Sequence, residues 1–398
     1  MQPIADEKIR PGGFFEWLTL AFGRILVSLV VPVVTFTVLI LGFRWLRDTV
    51  PSGLAEKTTV SLVAILWGVG GAGILYLISN WLIEKLSPVW VKRLQPFIFV
   101  GPAIAILTWY LALPTFRSLW ISLFDRSGPT EVPFGLLFTA PKEYFAQLST
   151  NFIGLGNYIS VFTERTMITA FRNNLLWIIF GASLAIVFGL LVAVLADRSR
   201  FENIAKSLIF LPMAISMVGA GVIWNFMYEV KDIADPQIGL LNAIWVAFGN
   251  KPQAWTALIT QPWNNIFLII IMIWLQTGYA MVIFSAAIKG IPDELIEAAR
   301  VDGATEPQIF FRIMIPYIMG TIITVSTTVV IFTLKIFDIV MVMTGGQFST
   351  HVIATQFYRQ AFTSNNKGLA AAIAIVLLIT VIPVMIYNLR QFAEEEAF

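Results

Sequence analysis

The stretch Ile291–Pro316 reads IPDELIEAARVDGATEPQIFFRIMIP and lies between two long apolar runs. Pro292 suits the first turn of a helix, where its missing N–H costs nothing, and Asp293 and Glu294 then face the positive end of the helix dipole. Leu295, Ala298, Ala299 and Asp302 share one side at helical spacing, and the alanines let another surface come close. Gly303 can take the left-handed conformation that stops this helix. Thr305 and Gln308 have the spacing of a capping box, which starts a second short helix running towards Pro316. The expectation is a helix–turn–helix pushed out of a membrane between two spans. Physics alone reads it as an amphipathic connector.

The flanking runs set the class. Apolar residues are 58% of the 398 and charged residues 13%, against about 45–50% and a quarter in soluble domains. The excess is gathered in runs able to cross about 30 Å of hydrocarbon, so the expected fold is an all-α polytopic membrane protein. About eight spans are expected, near 18–41, 60–82, 96–120, 173–195, 207–228, 263–288, 317–343 and 368–389. The first is too long, and too poor in a small-residue cleavage site, for a removable signal peptide, and reads as an anchor. Gly68, Gly70, Gly71 and Gly73 in the second would allow close helix contact. The clusters Glu84, Lys85, Lys92, Arg93 and Asp197, Arg198, Arg200, Lys206 read as cytoplasmic turns, and an even span count puts both termini in the cytoplasm.

Several function classes are excluded. A net charge of +2 makes nucleic acid an unsuitable partner. With no cysteine and a single histidine, His351, there are no disulfides, thiolate ligands or histidine metal clusters. No paired carboxylates fall in a plausible cleft and no serine–histidine arrangement occurs, so the chain is not expected to be an enzyme. No GxxxxGK[ST] phosphate loop is present, so ATP would be bound and hydrolysed by another polypeptide.

The order Glu297-Ala298-Ala299, three residues, Gly303, nine residues, Ile313-Met314-Ile315-Pro316 resembles the EAA loop of ABC importer permeases, with Ile315 where leucine is usual. IPDEL and Asp302-Gly303-Ala304 resemble the carbohydrate-uptake branch, the maltose-permease type. From the third span the resemblance is continuous. It runs through Pro114, the Ser122-to-Asp125 exit, FIGLGNYISVF (Phe152 to Phe162), the proline-broken segment around Pro212, the turn Gly239 to Ala243, and WxQTG, FD and TGG at Trp274 to Gly278, Phe337-Asp338 and Thr344 to Gly346. It implies a six-span permease core over 96–398, with the coupling loop at 291–316 facing cytoplasmic ATPases. Residues 1–95 would be an extension with two further spans, as in the longer member of some heteromeric permease pairs. Overall similarity points towards permeases for α-glucosides or glucosylated polyols such as glucosylglycerol.

The resemblance implies a bacterial cytoplasmic (inner) membrane location. The implied partners are a second, different permease, two ATPase subunits holding ATP and Mg, and an extracytoplasmic solute-binding protein received by the loops around 126–165 and 229–262. This chain would hold no cofactor or metal. Glu297, Ala298, Ala299, Asp302, Gly303 and Ala304 would couple to the ATPases. A sugar needs aromatic faces and amide or hydroxyl groups, which the sixth and seventh spans offer at Trp274, Gln276, Gly278, Tyr279, Thr333, Phe337 and Asp338. Lys335 and Asp338 sit three apart. They read as a structural i,i+3 pair, or as a sugar ligand held by its neighbour. In the rival reading, an ion-coupled secondary transporter, they would be the coupling groups, although no inverted repeats are visible.

Overall fold

A computed structural model describes the chain continuously over 107–133, 136–257 and 262–395, together with 54–84 and short pieces within 33–45 and 91–104. The polar start at 1–17, most of the expected first span and the beginning of the third lie outside the described residues. Two compact units divide between Arg117 and Ser118. In the first, α1 (Leu54–Glu84) is one helix of 31 residues and covers the expected second span. Gly68, Gly70 and Gly73 have open space where a Cβ would stand, so the close helix contact expected of them is not made among the described residues.

The regular structure of the second unit is helical, and one isolated antiparallel bridge, Phe124 to Phe152, ties two of its loops together. A short helix, α2 (Gly156–Thr163), precedes α3 (Arg165–Asp197), the expected fourth span extended by about two turns at its N-terminus. The expected fifth span is two helices, α4 (Glu202–Ala214) and α5 (Met217–Met227), which meet at 102°. Pro212 lies in the last turn of α4, and Ser216 restarts the chain by accepting the Gly219 N–H on its Oγ at 3.0 Å. The sixth span is α6 (Trp263–Lys289), which leads into α7 (Asp293–Val301). The seventh is also broken: α8 (Glu306–Tyr317) and α9 (Met319–Leu334) bend by 72°, and α10 (Asp338–Met343) starts afresh after a three-residue gap. A short, half-buried helix, α11 (Ile353–Tyr358), precedes α12 (Lys367–Glu395), the eighth span. Among the described residues, three helices are long and apolar enough to cross a membrane, or five if each bent pair is one span.

The core forms where α3 lies along α6, the most extensive helix pair in the unit. Small residues allow it. A Cβ on Gly189 would stand 2.4 Å from the Ala280 Cβ and 3.0 Å from the Met281 nitrogen. Trp177 of α3 and Leu268, Ile269, Met272, Met281 and Phe284 of α6 are fully buried around this seam. Two of the sequence motifs turn out to be staples. Asn157 of the GLGNY segment donates to the Ser122 and Phe124 carbonyls at 2.8 and 2.6 Å, and the Tyr158 hydroxyl meets the Ser122 hydroxyl at 2.7 Å. Asn242 donates to the Glu229 and Gln253 carbonyls at 2.9 and 3.0 Å, closing the second long loop on itself.

Candidate coupling and substrate sites

The α7 helix stops as its sequence predicts. Gly303 has φ +81°, its N–H donates to the Arg300 carbonyl at 3.0 Å, and the Ala304 N–H reaches back to Ala299 at 2.9 Å. Those are the two backbone bonds of a glycine-terminated helix, and they satisfy carbonyls that would otherwise be orphaned. Thr305 then opens α8, donating its N–H to Gln308 Oε1 at 2.8 Å and its hydroxyl to the same oxygen at 3.0 Å. The two helices are clipped by Glu306. Its carboxylate takes Arg300, from the last turn of α7, at 3.1 Å and Arg198, just past the end of α3, at 2.6 Å.

One part of the expected α7 face is corrected. Leu295, Ala298, Ala299 and Asp302 do not share a single environment: Ala299, together with Ile296 and Ala304, packs against the core. Leu295, Glu297, Ala298, Val301, Asp302 and Gly303 are exposed, Val301 by 87%. Three inward residues leave the rest of the helix as a free ridge. The carboxylates of Glu297 and Asp302 have no partner among the described residues.

Near the ridge lies a charge cluster that reading these residues only as a cytoplasmic turn missed. Lys206 pairs with Asp197 and, at 2.6 Å, with Glu202; Lys289 also pairs with Glu202, and Ser285 donates to Asp197 at 2.7 Å. It joins the ends of α3, α4 and α6. The Glu202–Lys206 spacing of four was the available signal.

Among the described residues, the expected substrate residues line neither of the cavities at the two ends of α3, and each has its own surroundings. Gly278 is a packing residue: a Cβ there would stand 2.6 Å from the Ile209 carbonyl oxygen of α4. Trp274 packs edge-on against Trp224 of α5, with ring centres 5.8 Å apart. Thr333 is fully buried, its hydroxyl donating to the Val329 carbonyl at 2.7 Å and facing the Met272 sulfur at 3.7 Å. Phe337 lies tilted on Tyr358 at 5.4 Å. Gln276 and Tyr279 are partly exposed, with no side-chain hydrogen bond among the described residues.

The i,i+3 pair expected of Lys335 and Asp338 is not formed among the described residues. The reason is the break in the seventh span: Lys335 caps the C-terminus of α9, while Asp338 opens α10. Each charge faces the helix end that favours it, positive at the C-terminus and negative at the N-terminus.

Two asparagine pairs were missed altogether. Asn173 and Asn174 of α3 and Asn264 and Asn265 of α6 are at most 3% exposed. Asn173 donates to the carbonyls of Ser349 and His351 at 2.7 and 2.8 Å, Asn264 donates to Phe348, and Asn174 accepts the Ile353 N–H at 2.8 Å. They hold a turn in which Gly345, Gly346, Phe348 and Ser349 all have positive φ. A Cβ on Gly346 would overlap the His351 ring at 2.1 Å, so the TGG motif is where the imidazole folds back over the backbone. The Asn-Asn doublets at the starts of two spans were the signal.

Residues 185–393 match the family of binding-protein-dependent transport system inner membrane components. The chain belongs to that family. Over 299 residues, 75% of this chain and 99% of the relative, it is 48% identical to the osmoprotective compounds uptake permease protein GgtC of Synechocystis. It is 47% identical over 306 residues to the alpha-glucoside transport system permease protein AglF of Rhizobium meliloti, covering 76% of this chain and 84% of that one. Its fold is shared with a chain of a bacterial ABC transporter involved in import of the acidic polysaccharide alginate, at a TM-score of 0.54 and 20% identity, over 74% of this chain and 98% of that one. As a multi-pass inner-membrane permease subunit of an ABC importer, it supplies a path and a mechanical link rather than catalysis.

Proposed function

We propose that this permease forms half of the translocation path for a sugar or sugar-derived osmolyte, paired with a different permease chain and driven by two separate ATPase subunits. The observation that carries the reading is the exposed α7 ridge, buried on one side, stopped at Gly303 and clipped to α3 through Glu306 and Arg198. A ridge fixed to the permease on one side and free on the other can be seated in a groove of an ATPase. When ATP binding draws the two ATPases together, the clip passes the displacement to α3. Glu297, Ala298, Asp302 and Gly303 would meet the ATPase, while Ala299 and Ala304 hold the ridge on the bundle. On this reading α7 faces the cytoplasm, as do both termini. The loops beside Asn157 and Asn242 then face outward, towards an extracytoplasmic solute-binding protein. Residues 1–95 would be an extension outside the six-span core.

The substrate class rests on the GgtC and AglF relatives. Trp274, Gln276, Tyr279, Phe337 and Asp338 remain the candidates for contact, supplying aromatic faces, an amide and a carboxylate; Gly278 and Thr333 would act by shaping α6 and α9. The test is ATPase activity of the affinity-purified complex, screened with glucosylglycerol and α-glucosides in the presence of the solute-binding protein. Stimulation by one of these solutes, lost in Glu297→Lys, is the expected result. A complex that contains no ATPase, with uptake abolished by an uncoupler and indifferent to ATP depletion, would restore the secondary-transporter reading.

A further inference from the structure

At the end of α3 opposite the coupling ridge lies a cavity of about 710 Å³, within the size range of small-molecule sites. Arg165, at the start of α3, and Arg359, just past α11, line it, and neither has an ion-pair partner among the described residues. No acidic side chain lines it among the described residues. Gln356, on the same wall, is 1% exposed, and its amide nitrogen is buried with no hydrogen-bond partner. Native proteins rarely leave such a donor unmet unless something else supplies the acceptor. The hydroxyls of Thr166, Thr169 and Tyr358 complete the polar wall. The other wall is the left-handed turn held by the asparagine pairs, so the cavity is built in advance of any ligand.

We propose that this cavity is a binding site for a small polyhydroxylated carboxylate. The two guanidinium groups would take the carboxylate, since their planar donor forks match it in bidentate geometry. The hydroxyls and the Gln356 amide would take the ligand's hydroxyl groups. His351 borders the site and is the only histidine in the chain, which makes it a built-in reporter. Burial first, and then the charge of Arg359, holds its imidazole below the usual range. The charged groups that line the cavity with it are Arg165 of α3 and Arg359, and an anion lodged there would favour the protonated ring. This inference goes beyond the coupling and substrate reading and does not depend on it.

The experiment uses the full chain in lipid nanodiscs, carrying ¹³C-labelled histidine and a histidine-free tag. D-Glucuronate and D-glucose, which differ by the carboxylate, are titrated while the His351 ring signal is followed against pH. The expected result is a saturable rise in the His351 pKa with glucuronate and none with glucose. Arg165→Gln should weaken that response about tenfold or more, the scale of a lost charge-assisted hydrogen bond. Gln356→Glu, which places a carboxylate in the wall, should also suppress it. No response to glucuronate, an equal response to glucose, or a response that persists in Arg165→Gln/Arg359→Gln would overturn the assignment. So would a response obtained only with the purified solute-binding protein, which would make the cavity a protein-docking surface. No ATPase takes part, so failure here is separable from failure of the coupling reading.

Discussion

Gly303 offers the cleanest perturbation of the coupling ridge, because nothing lies within 4 Å of the place its Cβ would occupy. A substitution there tests backbone conformation with no steric clash mixed in. The residue is held at φ +81°. Keeping a residue with a Cβ in the left-handed region costs roughly 1–2 kcal/mol. That is a factor of about 5–30 in the population of correctly turned loop. Gly303→Ala should therefore weaken capture of the ATPase by about that factor, while the thermal stability of the permease stays close to wild type. Gly303→Asn should lose much less, since asparagine visits this region several-fold more often. Gly303→Asp shares that tolerance but adds a third carboxylate beside Glu297 and Asp302, so its expected loss of uptake comes from charge and not from the turn. The assay is equilibrium binding of labelled ATPase to the permease pair in nanodiscs, with uptake measured in parallel. If alanine binds as tightly as glycine while asparagine fails, the partner reads the surface at 303 and the conformational argument is wrong.

Three further outcomes are expected. Gly278→Ala would push a Cβ to 2.6 Å from the Ile209 carbonyl and should destabilise the α4–α6 contact by about 1–3 kcal/mol. Thermal unfolding should register this with KM unchanged, and a KM change at constant Tm would instead make Gly278 a substrate contact. Asn173→Ala strips the donor from two carbonyls, of Ser349 and His351, and should cost about 2–6 kcal/mol at roughly 1–3 per unsatisfied group; an unchanged unfolding midpoint would refute it. His351 has a folded-state pKa below the unfolded value of about 6.5, so between the two the unfolded chain binds more protons and stability rises with pH. Its contribution is full above that value and lost as pH falls through the lower folded pKa. Arg359→Gln, removing the second cause, should move the NMR titration of His351 upward.

The parts of this chain legible in the sequence are those whose physics is local. Gly303, the Thr305–Gln308 pair and the acidic start of α7 act within one or two turns, so residue types three or four apart are enough to predict them. The positions of the fourth, sixth and eighth spans follow from apolar length alone. Span shape does not: a restart at Ser216 or a bend after Tyr317 depends on what packs beside the break, and a run of apolar letters looks the same straight or folded. The Lys335–Asp338 pair failed for that reason, since i,i+3 reasoning presupposes an unbroken helix. The asparagine pairs were hidden because their partners lie far along the chain, Asn173 meeting Ser349 and Asn264 meeting Phe348. The substrate residues were read as one set because they share a chemistry, whereas the fold uses Gly278 and Thr333 for packing.

Within the second unit, the coupling ridge and the left-handed turn are joined by one element. At 33 residues, α3 extends about 50 Å at 1.5 Å per residue. Just beyond its C-terminal end, Arg198 enters the clip on Glu306; near its N-terminal end, Asn173 and Asn174 hold the left-handed turn and the start of α11. Its length is braced against α6 by contacts that a single Cβ at Gly189 would disrupt. Its π-helical turn at Trp177–Ala182 is itself packed, with Trp177, Gly181 and Ala182 buried, so a push at one end is resisted along the helix, since close-packed interiors transmit strain. On the coupling reading, movement of the α7 ridge must therefore either shift α3 and α6 as one body, carrying the outer turn, or break the Arg198–Glu306 clip. Glu306→Gln separates these. It keeps the capping geometry of Thr305 and Gln308 and removes the charge that joins ridge to helix. ATPase binding should persist in this variant while hydrolysis and uptake come apart, with ATP consumed and little solute moved. Tight coupling in Glu306→Gln would mean that the displacement travels through the α6–α7 turn instead.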